Sequence, residues 1–506
     1  MRRVSRRQFL ATTAAFGALG AAPSLLIPTG PARATLATTI RVGTRVIEVN
    51  GRPATVFGLM RPDGGQGVIA EAGQRFHLRL ENGLDEETLI HWHGLTPPFG
   101  QDGVPGLPQR SLAAGGTYDY DFPLTLPGTN WMHSHHGLQE QRLMAAPLIV
   151  RDPAEVGADL QEVVVLLHDF TFRDPNEILA GLQKAGGHGA AAFDAPMPGM
   201  NPGGGHGDMD HGSMDQGSHG TMGAMDMVPQ GQTTTASATH LDDVDYDAFL
   251  ANDRTFDDPE VFRVERGGRV RLRLINGATA TSFWIDLGQL NGRLVAVDGL
   301  AIEPLAGQRF ELAIAQRLDI VLELPLEEGA WPVFAIREGD RARTGFALAT
   351  RHGEISKIGP EALEPVAPVG LELERRLRAL QPLADRPADQ KHTVEITEAA
   401  GYVWLLNGAT PGEHTPLGVR EGERVEITFT DRTSMAHPMH LHGHHFQVVA
   451  LNGQRFSGAM RDTVLVPAQG SITIAFDAGN PGTWALHCHH LYHMAAGMMT
   501  TVEYQA

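Results

Sequence analysis

Residues 68–84 read VIAEAGQRFHLRLENGL, residues 262–278 read FRVERGGRVRLRLINGA, and residues 417–433 read LGVREGERVEITFTDRT. Each copy opens with a short apolar segment, passes an acidic residue and a glycine, and continues into a run in which apolar residues alternate with polar or charged ones. Alternation at period two buries one face of a strand and wets the other. A second motif follows each copy: PGTNWMHSHHG from residue 127, EGAWPVFAIRE from 328 and PGTWALHCHHL from 481. Each is a glycine, a tryptophan and a strand. Three such pairs in one order imply a triplicated unit, and the expected fold is all-β, three consecutive β-sandwich domains spanning 35–152, 153–358 and 359–506.

The bulk properties agree. A chain of 506 residues is too long for one hydrophobic core, and 59 Gly and 32 Pro suit turn-rich β architecture. A formal charge of −19 argues against a nucleic-acid partner, which needs basic patches. At the N-terminus, SRRQFL (Ser5–Leu10) sets twin arginines before an Ala- and Gly-rich apolar run interrupted by Pro23, and ARA (Ala32–Ala34) fits a small-residue cleavage site. Residues 1–34 therefore resemble a twin-arginine export signal, which implies the twin-arginine export machinery as a partner and a periplasmic, soluble mature protein. No other stretch is long and apolar enough to span a bilayer, and a monomer is expected. Cys488 is the single cysteine, so no internal disulfide forms.

The chemistry sits at equivalent places of the first and third repeats. The first carries HWHG (His91, His93) and HSHH (His133, His135, His136). The third carries HPMHLHGHH (His437, His440, His442, His444, His445) and HCHHLYH (His487, His489, His490, His493). The second has SFWIDLG and VFAIREG there, without histidine. On a strand, residues i and i+2 share a face, so the pairs His91/His93, His133/His135, His440/His442 and His487/His489 can converge eight imidazoles on one cavity. Imidazole suits copper, zinc, iron and nickel, so these pairs alone do not name the metal.

Cys488 lies between His487 and His489 and points to the opposite face. It is open to three readings: inert packing, a nucleophile or a metal ligand. His437, His493 and Met498 decide for the last, since two imidazoles, one thiolate and a weak axial thioether form a blue-copper electron-transfer site. An electron arriving at Cys488 has a short covalent path to His487 and His489.

HWHG, HSHH, HPMHLHG and HCHHLYHMAAGM together resemble the four copper motifs of the multicopper oxidases, the laccase and cuprous-oxidase superfamily, and most of all its bacterial copper-resistance branch. The resemblance covers essentially the whole mature chain and implies three consecutive cupredoxin-like Greek-key β-sandwiches holding four copper ions. It places type 1 copper on His437, Cys488, His493 and Met498, and type 2 copper on His91 and His440. It places one type 3 copper on His93, His133 and His489, and the other on His135, His442 and His487. The implied reaction is four one-electron oxidations of a reductant coupled to reduction of O2 to water. His136, His444, His445 and His490 fall off the motif and are expected beside the ligands or facing solvent. Asp102 in GQDGVPG matches a family acidic residue near the type 2 copper. Some cuprous oxidases have an acid directly after the residue equivalent to His493; here it is Met494, and Glu140 is the candidate replacement.

The reductant is read from residues 186–229, where no strand or helix period survives. Seven of the 17 methionines fall there (Met197, Met200, Met209, Met214, Met222, Met225 and Met227), with His188, His206, His211 and His219. Soft thioethers favour Cu(I). The expected activity is oxidation of Cu(I) in copper tolerance, at a low-potential site because Met498 is a ligating axial residue. Two alternatives stand beside it: a laccase-like oxidase of phenols or other organic donors, and a copper-sequestering protein acting through the insert.

Overall fold

The computed structural model describes residues 38–186, 241–410 and 412–505. The export segment expected at 1–34 and the methionines and histidines of the 186–229 insert lie outside the described residues.

The three repeated stretches fold alike, and the glycine explains why. Gly73, Gly267 and Gly422 occupy the same repeat position and take φ of +86°, +64° and +85°. An L side chain rarely adopts that conformation, and glycine does so without strain. The turn it makes sends the two halves of each repeat to different sheets. Val68–Glu71, Val261–Arg263 and Leu417–Val419 pair in parallel with Ala145–Arg151, Arg343–Ala349 and Met499–Tyr504. Arg75–Asn82, Arg269–Asn276 and Arg424–Asp431 cross to the facing sheet, each between a parallel and an antiparallel neighbour.

The alternation falls where the pattern predicts. Phe76, Leu78 and Leu80, then Val270, Leu272 and Leu274, then Val425, Ile427 and Phe429 are all 3% exposed or less. Each strand stops in the same way. The side chains of Asn82, Asn276 and Asp431 accept the backbone N–H two residues on, at 3.0, 3.1 and 2.7 Å, which turns the chain out of the sheet. The polar face departs from alternation at Arg273 and Ile275, both buried. Trp131 and Ala145 of the first sandwich pack with Ile275 there, and Arg273 is held by Glu162 at 2.7 Å and Asp319 at 2.8 Å.

The sandwiches contain sheets of four and four, six and five, and seven and five strands, each around its own core. This is the cupredoxin-like, all-β triplet. The tryptophan motif forms an inner strand each time, Gly128–Ser134, Ala330–Arg337 and Thr483–Cys488, antiparallel to Ile90–His91, Phe283–Asp286 and His437–Leu441. One helix, Pro175–Ala185, has no counterpart in the sequence reading. Asp174 caps it, Pro175 starts it, and Gly186 at φ +89° ends it. Its Ile178, Leu179 and Leu182 pack into the third sandwich's core. No helix among the described residues is long and apolar enough to cross a membrane.

Leu274→Ala is expected to cost about 2–5 kcal/mol, since its site is fully enclosed. Urea unfolding followed by tryptophan fluorescence measures this, and a loss below about 1 kcal/mol would contradict the burial described.

Candidate metal centre

Two adjacent strands of the third sandwich create two sites at once. In the pairing of His437–Leu441 with Thr483–Cys488, His440 lies opposite His487 and Met439 opposite Cys488. Period two puts His440 and His487 on one face and Met439, Cys488 and His437 on the other. The first member of each H-x-H pair ends or nearly ends its strand. His93, His135, His442 and His489 lie just beyond the strand ends. The sequence expectation of four strand-borne pairs is thus half met. Turns such as Gly443, at φ +66° against Trp484, carry the second imidazole inward.

In six of the eight rings the outer nitrogen reveals where the inner one points. His91 Nδ1 donates to the Asp102 carbonyl at 2.8 Å, and His440 Nδ1 to the Asp462 carbonyl at 2.8 Å. His133 Nδ1 faces Glu140 Oε2 at 2.9 Å, and His442 Nδ1 faces Asp102 Oδ2 at 2.8 Å. His487 Nδ1 faces the Cys488 carbonyl at 2.9 Å, and His93, reversed, puts Nε2 on Asp462 Oδ1 at 3.0 Å. A carbonyl or carboxylate oxygen only accepts, so each of those nitrogens carries the hydrogen. The opposite nitrogen then carries a lone pair. Nε2 of His91, His133 and His440, Nδ1 of His93 and both nitrogens of His489 are buried with no hydrogen-bond partner among the described residues. His487 Nε2 lies 2.9 Å from His442 Nε2 and 3.3 Å from His135 Nε2. The lone pairs of His442 and His487 facing at 2.9 Å repel one another, and a borderline-soft cation satisfies them together. The donor set therefore fits copper.

Possible ligand atoms within 4.8 Å of one another group His135, His442 and His487; His91, His440 and His442; and His91, His93 and His133. The His489 ring lies 4.9 Å from that of His133 and 5.1 Å from that of His93. Burial, reinforced by neighbouring imidazoles, holds His93, His135, His440, His442 and His489 well below the usual histidine range. Burial brings His487 to about 3. These rings are neutral in neutral solution, ready to bind a cation.

On the other face, Cys488 Sγ lies 3.9 Å from His437 Nδ1 and 3.8 Å from His493 Nδ1, and the two nitrogens are 3.2 Å apart. His493 Nε2 donates to Asp243 Oδ2 at 2.9 Å; the Thr433 hydroxyl donates to the Met435 carbonyl at 3.2 Å and so accepts from His437 Nε2 at 2.8 Å, which turns both Nδ1 lone pairs to the sulfur. Met498 is fully buried in the same core, and its carbonyl accepts the Cys488 N–H at 3.0 Å. Burial pushes the Cys488 thiol well above its ordinary range. A thiol held in its protonated form is a poor nucleophile, which disfavours that reading. The His493 ring lies between Trp404, at 4.0 Å, and His490, stacked at 3.7 Å with planes 9° apart. His490 and His444 are buried, so neither faces solvent.

Two carboxylates have parallel positions. Asp102 reaches His442 and, through its carbonyl, His91. Glu140 reaches His133 and has Oε1 3.9 Å from His489 Nδ1. Each joins a histidine of the first sandwich to one of the third. Sequence reasoning missed Asp462, Asp243 and Arg317. Asp462 sits in an unremarked RDT, and Arg317 belongs to the domain whose repeat motifs lack histidine. Asp243 follows the insert in LDDVDYD, where an acidic run signals only a polar segment.

A cupredoxin-like triplet with a thiolate–imidazole pocket backing onto a large imidazole cluster defines a copper-dependent oxidoreductase. Sequence models described as multicopper oxidase match residues 45–155, 162–353 and 384–506. The chain belongs to the multicopper oxidase family, whose members pass electrons from a reductant to O2. It is 29% identical to multicopper oxidase MmcO of Mycobacterium tuberculosis, over 86% of this chain and 81% of that protein. It is 25% identical to copper resistance protein A of Pseudomonas syringae pv. tomato, over 99% of each. The crystal structure of the laccase from Botrytis aclada superposes with a TM-score of 0.71 at 21% identity, over 92% of this chain and 88% of that one.

Anaerobic Cu(I) uptake at the thiol is expected to release one proton and to weaken about tenfold for each pH unit lowered, because binding must displace the Cys488 proton. Uptake by His93, His135, His440, His442, His487 and His489 is expected to be nearly flat from about pH 7 to 5, since their depressed titration lies below that window. Calorimetric titration in two buffers of different ionisation heat separates the two, and a flat thiol site would contradict a buried, protonated Cys488.

Proposed function

We propose that the protein is an exported, periplasmic copper-tolerance oxidase that takes single electrons from Cu(I) and delivers four to O2, forming water. In this reading His437, Cys488, His493 and Met498 hold type 1 copper, and His91 and His440 type 2. His93, His133 and His489 hold one type 3 copper and His135, His442 and His487 the other, four ions in all. Bound copper supplies the one-electron chemistry at the thiolate and the reduction of O2 at the imidazole cluster. The chain supplies the rest. Cys488 is one peptide bond from both His487 and His489, which keeps the electron path covalent. Asp102 and Glu140, buried against different histidine pairs of the cluster, each carry a carboxylate oxygen without a hydrogen-bond partner among the described residues, Asp102 Oδ1 and Glu140 Oε1. Such oxygens can take up and release the protons that water formation consumes.

One observation carries Cu(I) as the reductant. Both ends of the segment containing Met197 to Met227 are fastened beside His493. At one end the Gly186 carbonyl accepts the Gly401 N–H at 3.2 Å. At the other, Asp243 Oδ2 accepts from His493 Nε2 at 2.9 Å and from the Tyr402 hydroxyl at 2.5 Å. A thioether- and imidazole-rich segment tethered there can gather Cu(I) next to the ring through which an electron enters. The twin-arginine N-terminus and the relatives named copper resistance protein A support export and tolerance. A cavity of about 240 Å³ favours a second reading, oxidation of organic donors. Met435, Pro438, Leu465, Glu338 and His490 line it, and burial raises Glu338 to about 7.

Oxygen uptake by the copper-loaded protein is expected to be faster with Cu(I) than with a simple phenol, and deletion of residues 186–229 should slow the Cu(I) reaction selectively. Faster phenol turnover, indifferent to the deletion, would establish the second reading. Cys488→Ser should abolish oxygen uptake and copper tolerance together; retained tolerance would instead point to sequestration by the insert. Glu140→Gln should slow oxygen consumption by about 10²–10⁴-fold while leaving reduction of the blue thiolate site by the donor unchanged. Stopped-flow loss of the blue absorption, beside oxygen uptake, checks this.

A further inference from the structure

A buried ionic chain runs from the second sandwich, which has no histidine cluster, to the histidines of the other two. It begins at Arg317, the first residue of strand Arg317–Glu323 and fully buried. Its guanidinium forks onto Asp462, Nη1 to Oδ1 at 2.7 Å and Nη2 to Oδ2 at 2.5 Å. The remaining donors go to main-chain oxygens: Nε to Thr129 at 3.1 Å, Nη1 to Ala315 at 3.2 Å and Nη2 to Asp298 at 3.1 Å. All five guanidinium hydrogens are thereby used, a pattern an ammonium group cannot reproduce. Asp462 passes the constraint on. Its Oδ1 accepts from His93 Nε2 at 3.0 Å and its carbonyl from His440 Nδ1 at 2.8 Å. The two imidazoles so held are stacked, with centroids 3.8 Å apart and planes 14° from parallel.

The HWHG motif records the same contact. Gly94 has φ +93°, and a Cβ placed there would meet Arg317 Nη2 at 2.6 Å and Asn130 Oδ1 at 2.3 Å. The glycine of the first histidine motif leaves room for an arginine of another domain. From Arg317 the chain also extends through Asp298, whose Oδ1 accepts the Arg317 N–H at 2.9 Å, to Arg461 at 3.1 Å and on to Glu374 at 2.7 Å. Asp298, Asp462 and Glu374 against Arg317 and Arg461 leave one negative charge in excess, in a group that is almost wholly buried. Buried ion pairs of this kind contribute little net stability compared with apolar packing, so cross-linking the domains is a weak reason for their presence. Orienting His93 and His440 is a stronger one.

We propose that Arg317 is a positioning residue for the imidazole cluster: by clamping Asp462 it fixes the ring angle of His93, keeps the Nδ1 lone pair of His93 turned inward, and holds His440 parallel to it. The inference rests on reading His93 and His440 as copper ligands. Without the fork, the Asp462 carboxylate loses two charge-assisted hydrogen bonds and keeps the Thr463 hydroxyl on Oδ1 at 2.9 Å, so its orientation is held less firmly. His93 Nε2 is then held less firmly too, because its other neighbour, the Thr463 hydroxyl at 3.1 Å, can donate as well as accept.

The test compares wild type, Arg317→Met and Arg317→Lys, each refolded metal-free and titrated with copper. In both variants copper at the imidazole cluster is expected to bind about 10–100-fold more weakly. The paramagnetic resonance signal of the copper outside the thiolate site should change its hyperfine splitting, while the blue absorption of the Cys488 site stays as in wild type. A merely structural role would lower the unfolding temperature of the metal-free protein and leave that signal unchanged, which would overturn the proposal. If Arg317→Met does not fold, Arg317→Lys decides, because it keeps the charge and removes the fork. A wild-type protein with no such non-thiolate signal would refute the ligand reading itself, and the proposal with it.

Discussion

The pairing of His437–Leu441 with Thr483–Cys488 is the constraint on which the rest depends. Two residues next to each other on a strand must point to opposite faces. His487 and Cys488 therefore belong to different sites, and His440 and Met439 follow them across the ladder. One face of a single sheet looks into the third sandwich's core, where the thiol, His437, His493 and Met498 are enclosed. The other face meets His91, His93, His133 and His135 of the first sandwich. The close, covalent linkage of the two sites follows from strand geometry.

Convergence of so many imidazoles has an electrostatic cost, and the surrounding residues manage it. Burial keeps His93, His135, His440, His442, His487 and His489 neutral, but neutrality alone does not decide which nitrogen faces inward. Acceptors do that: the carbonyls of Asp102, Asp462 and Cys488, and the carboxylates of Asp102, Glu140, Asp462 and Asp243. Each fixes a hydrogen on the outer nitrogen and so a lone pair on the inner one. Asp102 and Glu140 also span the gap between the first and third sandwiches, so the cluster forms only when both domains are docked.

The second sandwich keeps the triplicate topology yet has Phe283–Asp286 and Ala330–Arg337 where the others have histidines. Its contribution is of another kind. Arg317 and Asp298 reach the cluster from behind, and Asp243 reaches His493 from the segment that follows the insert. Helix Pro175–Ala185 lays its apolar face on the third sandwich just before the insert begins. The domain without ligands thus touches both sites.

Much of this was legible in the amino-acid sequence. The triplication, the alternating strands and their glycine turns rest on local rules, period two and left-handed φ, that need no knowledge of distant residues. The histidine motifs and Cys488 were legible because metal chemistry restricts residue type and spacing within a few positions. Glu140 was only a weak candidate, since its approach to His133 depends on a turn after the strand. Asp462, Arg317 and Asp243 were invisible, because their partners lie 145 to 369 residues away in the chain. An aspartate in RDT or an arginine opening a strand has no local pattern that separates it from a solvated charge. Sequence alone determined the sandwiches and singled out the imidazoles and the thiol that the fold gathers. Only the tertiary structure decided which carboxylates orient them and how the middle domain takes part, because those contacts form only when the domains pack.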